Sequence, residues 1–261
     1  MKYETIIYDK IDKIAKVSLN RPQRMNAATE QLWDEVTHAI GVADKDDDVR
    51  VVIITGVGRA FCAGDDHSML RDMEGTRTFP QDRGDILLPL FLGLQRLGKP
   101  TIAMVNGVAA GGGFDLALAC DIRVGSPNSR FMVAFTRIGI VPGSGGTWLL
   151  PHIVGLPKAC ELTVTGDFVE GEEAYKIGLL NKFVPAEKLE DETMALARKI
   201  AQGPPIALKM DKLAIYKSLS TDFETAQAFG AACEAITLHT EDHKEGVRAF
   251  AEKRPPVFKG K

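Results

Sequence analysis

The chain has 261 residues, 45% of them apolar and 26% charged, with 32 Lys and Arg against 35 Asp and Glu for a net charge of −3. That length supports a large buried core, and the composition excludes disordered, collagen-like and disulfide-scaffold classes. A slightly acidic balance speaks against nucleic acid as the main partner, because phosphate binding draws on a basic excess.

The opening segment, MKYETIIYDK, lacks the apolar core of a signal peptide, so a cytoplasmic protein is expected. Residues 5–8 and 14–19 cluster β-branched residues as paired strands do, and Pro22 closes them. Thr29 suits a helix N-cap, with Leu32, Trp33, Val36 and Ile40 following at helical spacing. Residues 51–55, VVIIT, form a short apolar strand of the kind buried on both faces. Gly56, Gly58 and Gly64 then punctuate a loop, and the polar stretch over 71–85 reads as a mobile surface segment. A helix over 86–97 stops at Gly98-Lys99-Pro100. Pro89, Gln95 and Arg96 interrupt it, and no apolar run reaches the roughly 18–20 residues that span a bilayer, so no membrane partner is expected.

Residues 101–105 repeat the buried-strand pattern, Asn106-Gly107 turns the chain, and Gly111-Gly112-Gly113 opens a helix carrying Leu116, Leu118, Ala119 and Cys120. Short strands are expected around 122–124 and 131–133. After a Gly-rich loop from Gly139 to Gly146 the pattern turns helical through Trp148, Leu149 and Leu150. From about Glu187 it is almost wholly helical, broken at Gly203-Pro204-Pro205 and Ser220. An α/β core with a C-terminal helical region follows. Cys62, Cys120, Cys160 and Cys233 form no CxxC pair and the five histidines no HExxH cluster, so no metal site and no disulfide is expected. Cys120 and Cys160 read as small hydrophobes within helical runs.

Glycine loops after strands suggest three chemistries. Gly56-Val57-Gly58 starts like a dinucleotide loop, but Phe61 occupies the sixth position and no helix opens there. A phosphate loop of the GxxxxGK[ST] type is absent. An oxyanion hole built from backbone N–H groups needs small residues for close approach to a carbonyl. Two segments suit it: 61–65, FCAGD, and 109–113, AAGGG, the second at a helix start whose N–H groups favour negative charge. Tight packing turns would account for the same glycines.

RAFCAGDD (59–66), NGVAAGGGFDLALACDIRV (106–124) and IGIVPGSGGTWLLP (138–151) resemble signature segments of the enoyl-CoA hydratase/isomerase, or crotonase, superfamily. NRPQRMNA (20–27), GLLNKFVP (178–185) and AFAEKRPPVF (249–258) are similar as well, so the resemblance spans nearly the whole chain in order. The third segment is most similar to members of the 1,2-epoxyphenylacetyl-CoA isomerase type. The resemblance implies a crotonase-type spiral of ββα units over 1–196. It further implies a C-terminal helical region over 197–261 that completes the acyl-CoA site and forms trimers or dimers of trimers. It implies an acyl-CoA thioester as substrate, coenzyme A being part of that substrate, and no separate cofactor.

By position, the oxyanion donors implied are the N–H groups of Asp65 and Gly112, flanked by Ala63, Gly64 and Gly111. Arg24 and Met25 match a loop that contacts coenzyme A, as do Phe250 and Lys253 near the C-terminus; Lys253 also reads as a solvated charge in a charged run. Of the family's acid positions, one falls on Asp115, another on Phe135 and a third on Gly143. Asp115 is therefore the expected acid/base, although a carboxylate in the first turn of a helix also serves as a cap. Phe135 reads as an apolar wall for the acyl group or as a core residue. His67 has a side chain that titrates near neutrality and could act on a substrate, but Asp66 and His67 are expected rather to face coenzyme A or solvent. Ser144 has no histidine placed beside it, and Arg137 and Asp121 are expected in structural ion pairs or caps. One acid in place of two favours double-bond isomerisation. Hydration of a cyclic or aromatic-derived acyl-CoA and a non-catalytic acyl-CoA binder are the alternatives.

Overall fold

The computed structural model describes residues 2–66, 68 and 81–261. The antiparallel pair β1 (Ile6–Ile11) and β2 (Ile14–Leu19) starts the chain, followed by α1 (Glu30–Lys45), whose N-cap Thr29 accepts from Leu32 N. Two-strand steps then repeat: β3 (Val51–Gly56) with β4 (Ala60–Cys62), β5 (Thr101–Val105) with β6 (Val108–Ala110), and β7 (Ile122–Gly125) with β8 (Arg130–Met132). Helix α2 (Gln81–Arg96) follows the first pair and α3 (Gly112–Ala119) the second. After the third come α4 (Gly146–Val154), α5 (Leu156–Thr165), β9 (Val169–Glu170), α6 (Gly171–Lys176) and β10 (Lys182–Phe183). Four helices end the chain: α7 (Leu189–Ala201), α8 (Pro205–Ser218), α9 (Phe223–Leu238) and α10 (Glu241–Glu252).

Each of these three steps, from β3/β4 to β7/β8, sends one strand to each of two sheets. The larger has the order β1-β2-β3-β5-β7-β10 and the smaller β4-β6-β8-β9. From β2 onward the larger sheet is parallel, with Val52 opposite Thr101 and Ile102 opposite Ile122. This is the ββα spiral that the resemblance implied. The apolar run 51–54 has its physical reason here: Val52 and Ile54 join the main core under α1 to α3, while Val51 and Ile53 join a second core under α7. A buried Val or Ile contributes roughly 1.5–3 kcal/mol, and alternation lets one strand supply both layers.

The C-terminal helices attach differently. In α8 the one buried residue is Lys212, and in α9 it is Cys233, both helices lying wholly within the described residues. Lys212 Nζ meets Asp121 Oδ2 at 2.8 Å and donates to Leu94 O (2.7 Å) and Lys99 O (3.1 Å). Tyr216 Oη donates to the other Asp121 oxygen (2.9 Å), and Asp121 Oδ2 also accepts from Thr101 N (2.7 Å). A polar pin thus ties α8 to the sheet. The expected boundary between 196 and 197 falls inside α7.

Arg137 pairs with Asp167 at 3.0 Å, and Asp121 caps Thr101, so both are structural as expected. Cys160 departs from expectation: it lies in α5 but is exposed, because the buried face of that helix carries Ala159 and Leu162. Cys62, Cys120 and Cys233 are buried thiols. No helix among the described residues is long and apolar enough to cross a membrane. The segment expected to be mobile, 71–85, lies mostly outside the described residues.

Candidate active site

Strands β4 and β6 are parallel neighbours, Ala60 opposite Val108, so the loops that leave their carboxyl ends emerge side by side. Gly64 has φ +96°, and a Cβ there would lie 3.0 Å from Ala110 O, so glycine serves both the conformation and the close approach. The loop at 20–28 braces this crossing. Ala63 N donates to Met25 O (3.1 Å), Ala28 N to Gly64 O (2.7 Å) and Asp66 N to Ala28 O (2.8 Å). Asp65 sits between these bonds as the bridge partner of Ala28, so its own amide points away from the 20–28 loop. Gly112 is the first residue of α3, ahead of the first intrahelical bond, which Asp115 N makes to Gly111 O (3.0 Å). Gly111 N is taken by Met132 O (3.1 Å).

Asp115 is 1% exposed and lies in the first turn of α3. Its carboxylate does not cap its own helix. The backbone of Ser144 and Gly146, at the start of α4, hydrogen-bonds to it instead. A Cβ on Gly146 would lie 2.2 Å from Asp115 Oδ1, so only glycine leaves room for the carboxylate at that helix start. Asp115 Oδ2 is buried with no hydrogen-bond partner among the described residues. A buried orphan acceptor costs about 1–3 kcal/mol, a cost that persists most readily where a ligand or a proton relieves it. Burial pushes the Asp115 carboxyl up to about 8, and the Asp65 charge adds to the rise; the Ser144 and Gly146 amides offset part of it. A carboxyl titrating near neutrality can both accept and deliver a proton, which an ordinary aspartate does poorly.

The structure brings Ala63, Gly64, Asp65, Gly111 and Gly112 to one crossing, with Asp115 one helical turn further on. Asp66 is tied to Arg21 (3.0 Å) and caps Ser68 N (3.1 Å). The Ser68 amide, with the hydroxyl and Arg21, holds its carboxyl below the usual range. Arg24 ends a 3-10 turn over Pro22–Arg24 and is exposed; Met25 follows in the left-handed region at φ +53°. Phe135 is buried in the main core, 4% exposed. Phe250 is 88% exposed on α10 and lines a groove of about 420 Å³ with Phe258, Pro204 and Val247, while Lys253 forms the exposed C-cap of that helix. His67 lies outside the described residues. Among the described residues no group of three or more His, Cys, Asp or Glu side chains is placed to hold a metal ion.

Several contributors escaped the sequence reading. Asn26 is 0% exposed and spans the loop base, accepting from Arg21 N (2.9 Å) and donating to Val57 O (3.0 Å) and Ala60 O (2.8 Å). Trp33 Nε1 donates to Asp65 Oδ1 (3.2 Å). Ser144 acts through its amide on Asp115, a role that no side-chain motif advertises.

The family description "Enoyl-CoA hydratase/isomerase" matches residues 9–261. The short-chain-enoyl-CoA hydratase of Clostridium acetobutylicum is 39% identical over 258 residues, 97% of each chain. The 1,2-epoxyphenylacetyl-CoA isomerase of Escherichia coli is 35% identical over 252 residues, 95% of each chain. The crystal structure of enoyl-CoA hydratase from Bacillus anthracis superposes with a TM-score of 0.92 at 34% identity, covering 99% of this chain and all of that one.

Proposed function

Because the chain belongs to the enoyl-CoA hydratase/isomerase family, we propose that it moves a double bond in an enoyl-CoA thioester, with Asp115 as a one-carboxylate proton shuttle. The observation that carries this reading is the buried, orphaned Oδ2 of Asp115 beside the crossing of the two glycine loops. The thioester oxygen would lie against the amides of Asp65 and Gly112. Asp115 would take a proton from C2 of a 3-enoyl thioester, and the electron pair would run onto that oxygen. The protonated Asp115 would then return the proton at C4. By analogy with other oxyanion holes, each donor is worth roughly 2.7–4 kcal/mol of barrier. Coenzyme A enters as part of the substrate, with Arg24 and Met25 on one side and Phe250 and Lys253 on another. Phe135, buried where relatives carry an acid, would present only apolar surface. The bare apolar residues of α8 to α10, Ile215, Phe223 and Phe250 among them, would pack against further copies of the chain as a trimer or dimer of trimers.

A second reading, hydration, is favoured by the relatives named as hydratases, since one carboxyl can in principle both activate water and protonate carbon. Incubation with 2-enoyl and 3-enoyl thioesters in heavy water, followed by mass spectrometry, separates the readings. An isomerised product with deuterium at C2 or C4 supports the shuttle, and a product heavier by one water supports hydration. No conversion or exchange, with thioester still bound, would leave a binding protein.

A further inference from the structure

The Asp65 side chain has no part in a role that uses only its amide, yet it is built into the crossing. Trp33, 1% exposed on α1, holds Asp65 Oδ1 through its indole N–H at 3.2 Å. The same two groups fill the space beside Gly112: a Cβ there would lie 3.2 Å from Trp33 Cζ2 and 3.4 Å from Asp65 Oδ1. Gly112 and Asp115 are three residues apart in α3, on one face of the helix. A tethered carboxylate therefore stands one turn from the buried acid.

Among the described residues, the other groups near Asp115 leave Asp65 as the charge that acts on it. From α4 it meets the backbone of Ser144 and Gly146. From β4, Cys62 packs against Gly113, where a Cβ would meet Cys62 O at 2.2 Å, and burial pushes that thiol up to about 12, so it is neutral. Arg21 is engaged by Asp66 and by Ala27 O.

We propose that Asp65 works twice: its amide faces the thioester oxygen, while its carboxylate, held by Trp33 beside Gly112, is the positioning group that tunes how readily Asp115 takes and returns the shuttled proton. This rests on the shuttle reading of Asp115. A like charge nearby makes the carboxyl a stronger base, and proton transfer is most efficient when that strength matches the working pH. The side chain at position 65 is thus a determinant of rate and not only a carrier of the amide.

Two readouts test this on the full chain. The first is a 13C NMR titration of Asp115 in carboxyl-labelled protein, its signal identified by loss in Asp115→Asn; it needs no turnover. The second is the pH profile of kcat/KM with a 3-enoyl thioester. Asp65→Asn is expected to lower the Asp115 midpoint by about one pH unit. The rising limb of the profile should move with it, and the plateau should fall several-fold, as a weaker base requires. Asp65→Glu should restore most of both. Trp33→Phe, which removes the indole hydrogen bond and keeps the charge, should move the midpoint the same way by less. An unmoved midpoint in Asp65→Asn overturns the inference and leaves the shuttle reading standing. A midpoint that moves in Asp65→Asn while the wild-type protein turns over no thioester overturns the shuttle reading, and with it the catalytic meaning of the coupling.

Discussion

Around Gly64 and Gly111 the backbones themselves approach, with a Cβ on Gly111 only 3.7 Å from Gly64 Cα, and the amides of Ala28, Ala63, Asp66 and Gly111 are each committed to a backbone carbonyl. In the C-terminal helices, by contrast, Lys212 and Cys233 are the buried residues of α8 and α9, and Phe223 on α9 is 82% and Phe250 on α10 88% exposed. The first region is finished within one chain; the second presents apolar side chains to whatever lies beyond it. Proton chemistry requires groups held to within a fraction of an ångström, and only the close-packed region supplies that. The Lys212 pin ties α8 to the sheet, and the outer faces of the C-terminal helices carry exposed apolar side chains.

The sharpest break in that comparison comes from charging the close-packed region. Asp115 is raised from 3.8 to about 8 in the fold, so the folded state holds its proton more tightly than the unfolded state does. Its stabilising effect is whole below about 4 and is lost as pH rises through about 8, on the order of 5 kcal/mol in all. Thermal melting of Asp115→Asn against the wild type should show the variant gaining relative stability across that window. A constant difference would mean that Asp115 sits in a wetter place than described.

Lys212→Ala attacks the other region at its pin. It leaves the Asp121 carboxylate partly buried without its cation, and about 3–5 kcal/mol of stability should be lost in denaturant unfolding. Gly64→Ala strains a left-handed position and pushes on Ala110 O, moving the Asp65 amide. Turnover should fall about 10²–10³-fold, with a smaller effect on thioester affinity. Phe250→Ser should change least in the fold, within about 0.5 kcal/mol by melting. Its effect should appear in sedimentation or in KM for the thioester, and a large loss of stability would show that α10 belongs to the single-chain core.

The legible parts of the molecule were those where one short run of residues carries the signal. The buried strands at 51–55 and 101–105, the Thr29 cap and the Gly-rich opening of α3 each announce themselves locally. The second sheet does not: β4, β6 and β9 have two or three residues each, too few to show a period, and β4 and β6 read as loop and turn. Residue types at the crossing were visible through the similarity of their segments to a family. The partners of Asp115 were not, because Ser144 and Gly146 act through amides some 30 residues away. Trp33 read only as part of an apolar helical stripe, and its N–H bond to Asp65 depends on how α1 lies over the loop. Cys160 was misplaced for a related reason, since helical spacing alone does not say which face of α5 meets the core.

The central claim is that Asp115 moves the proton, and hydrogen–deuterium exchange at C2 and C4 of enoyl thioesters in heavy water tests it most directly. Wild-type protein should exchange both carbons, and Asp115→Asn should lose about 10²–10⁴-fold of that rate while still binding the thioester. Exchange at an unchanged rate in Asp115→Asn would contradict the account.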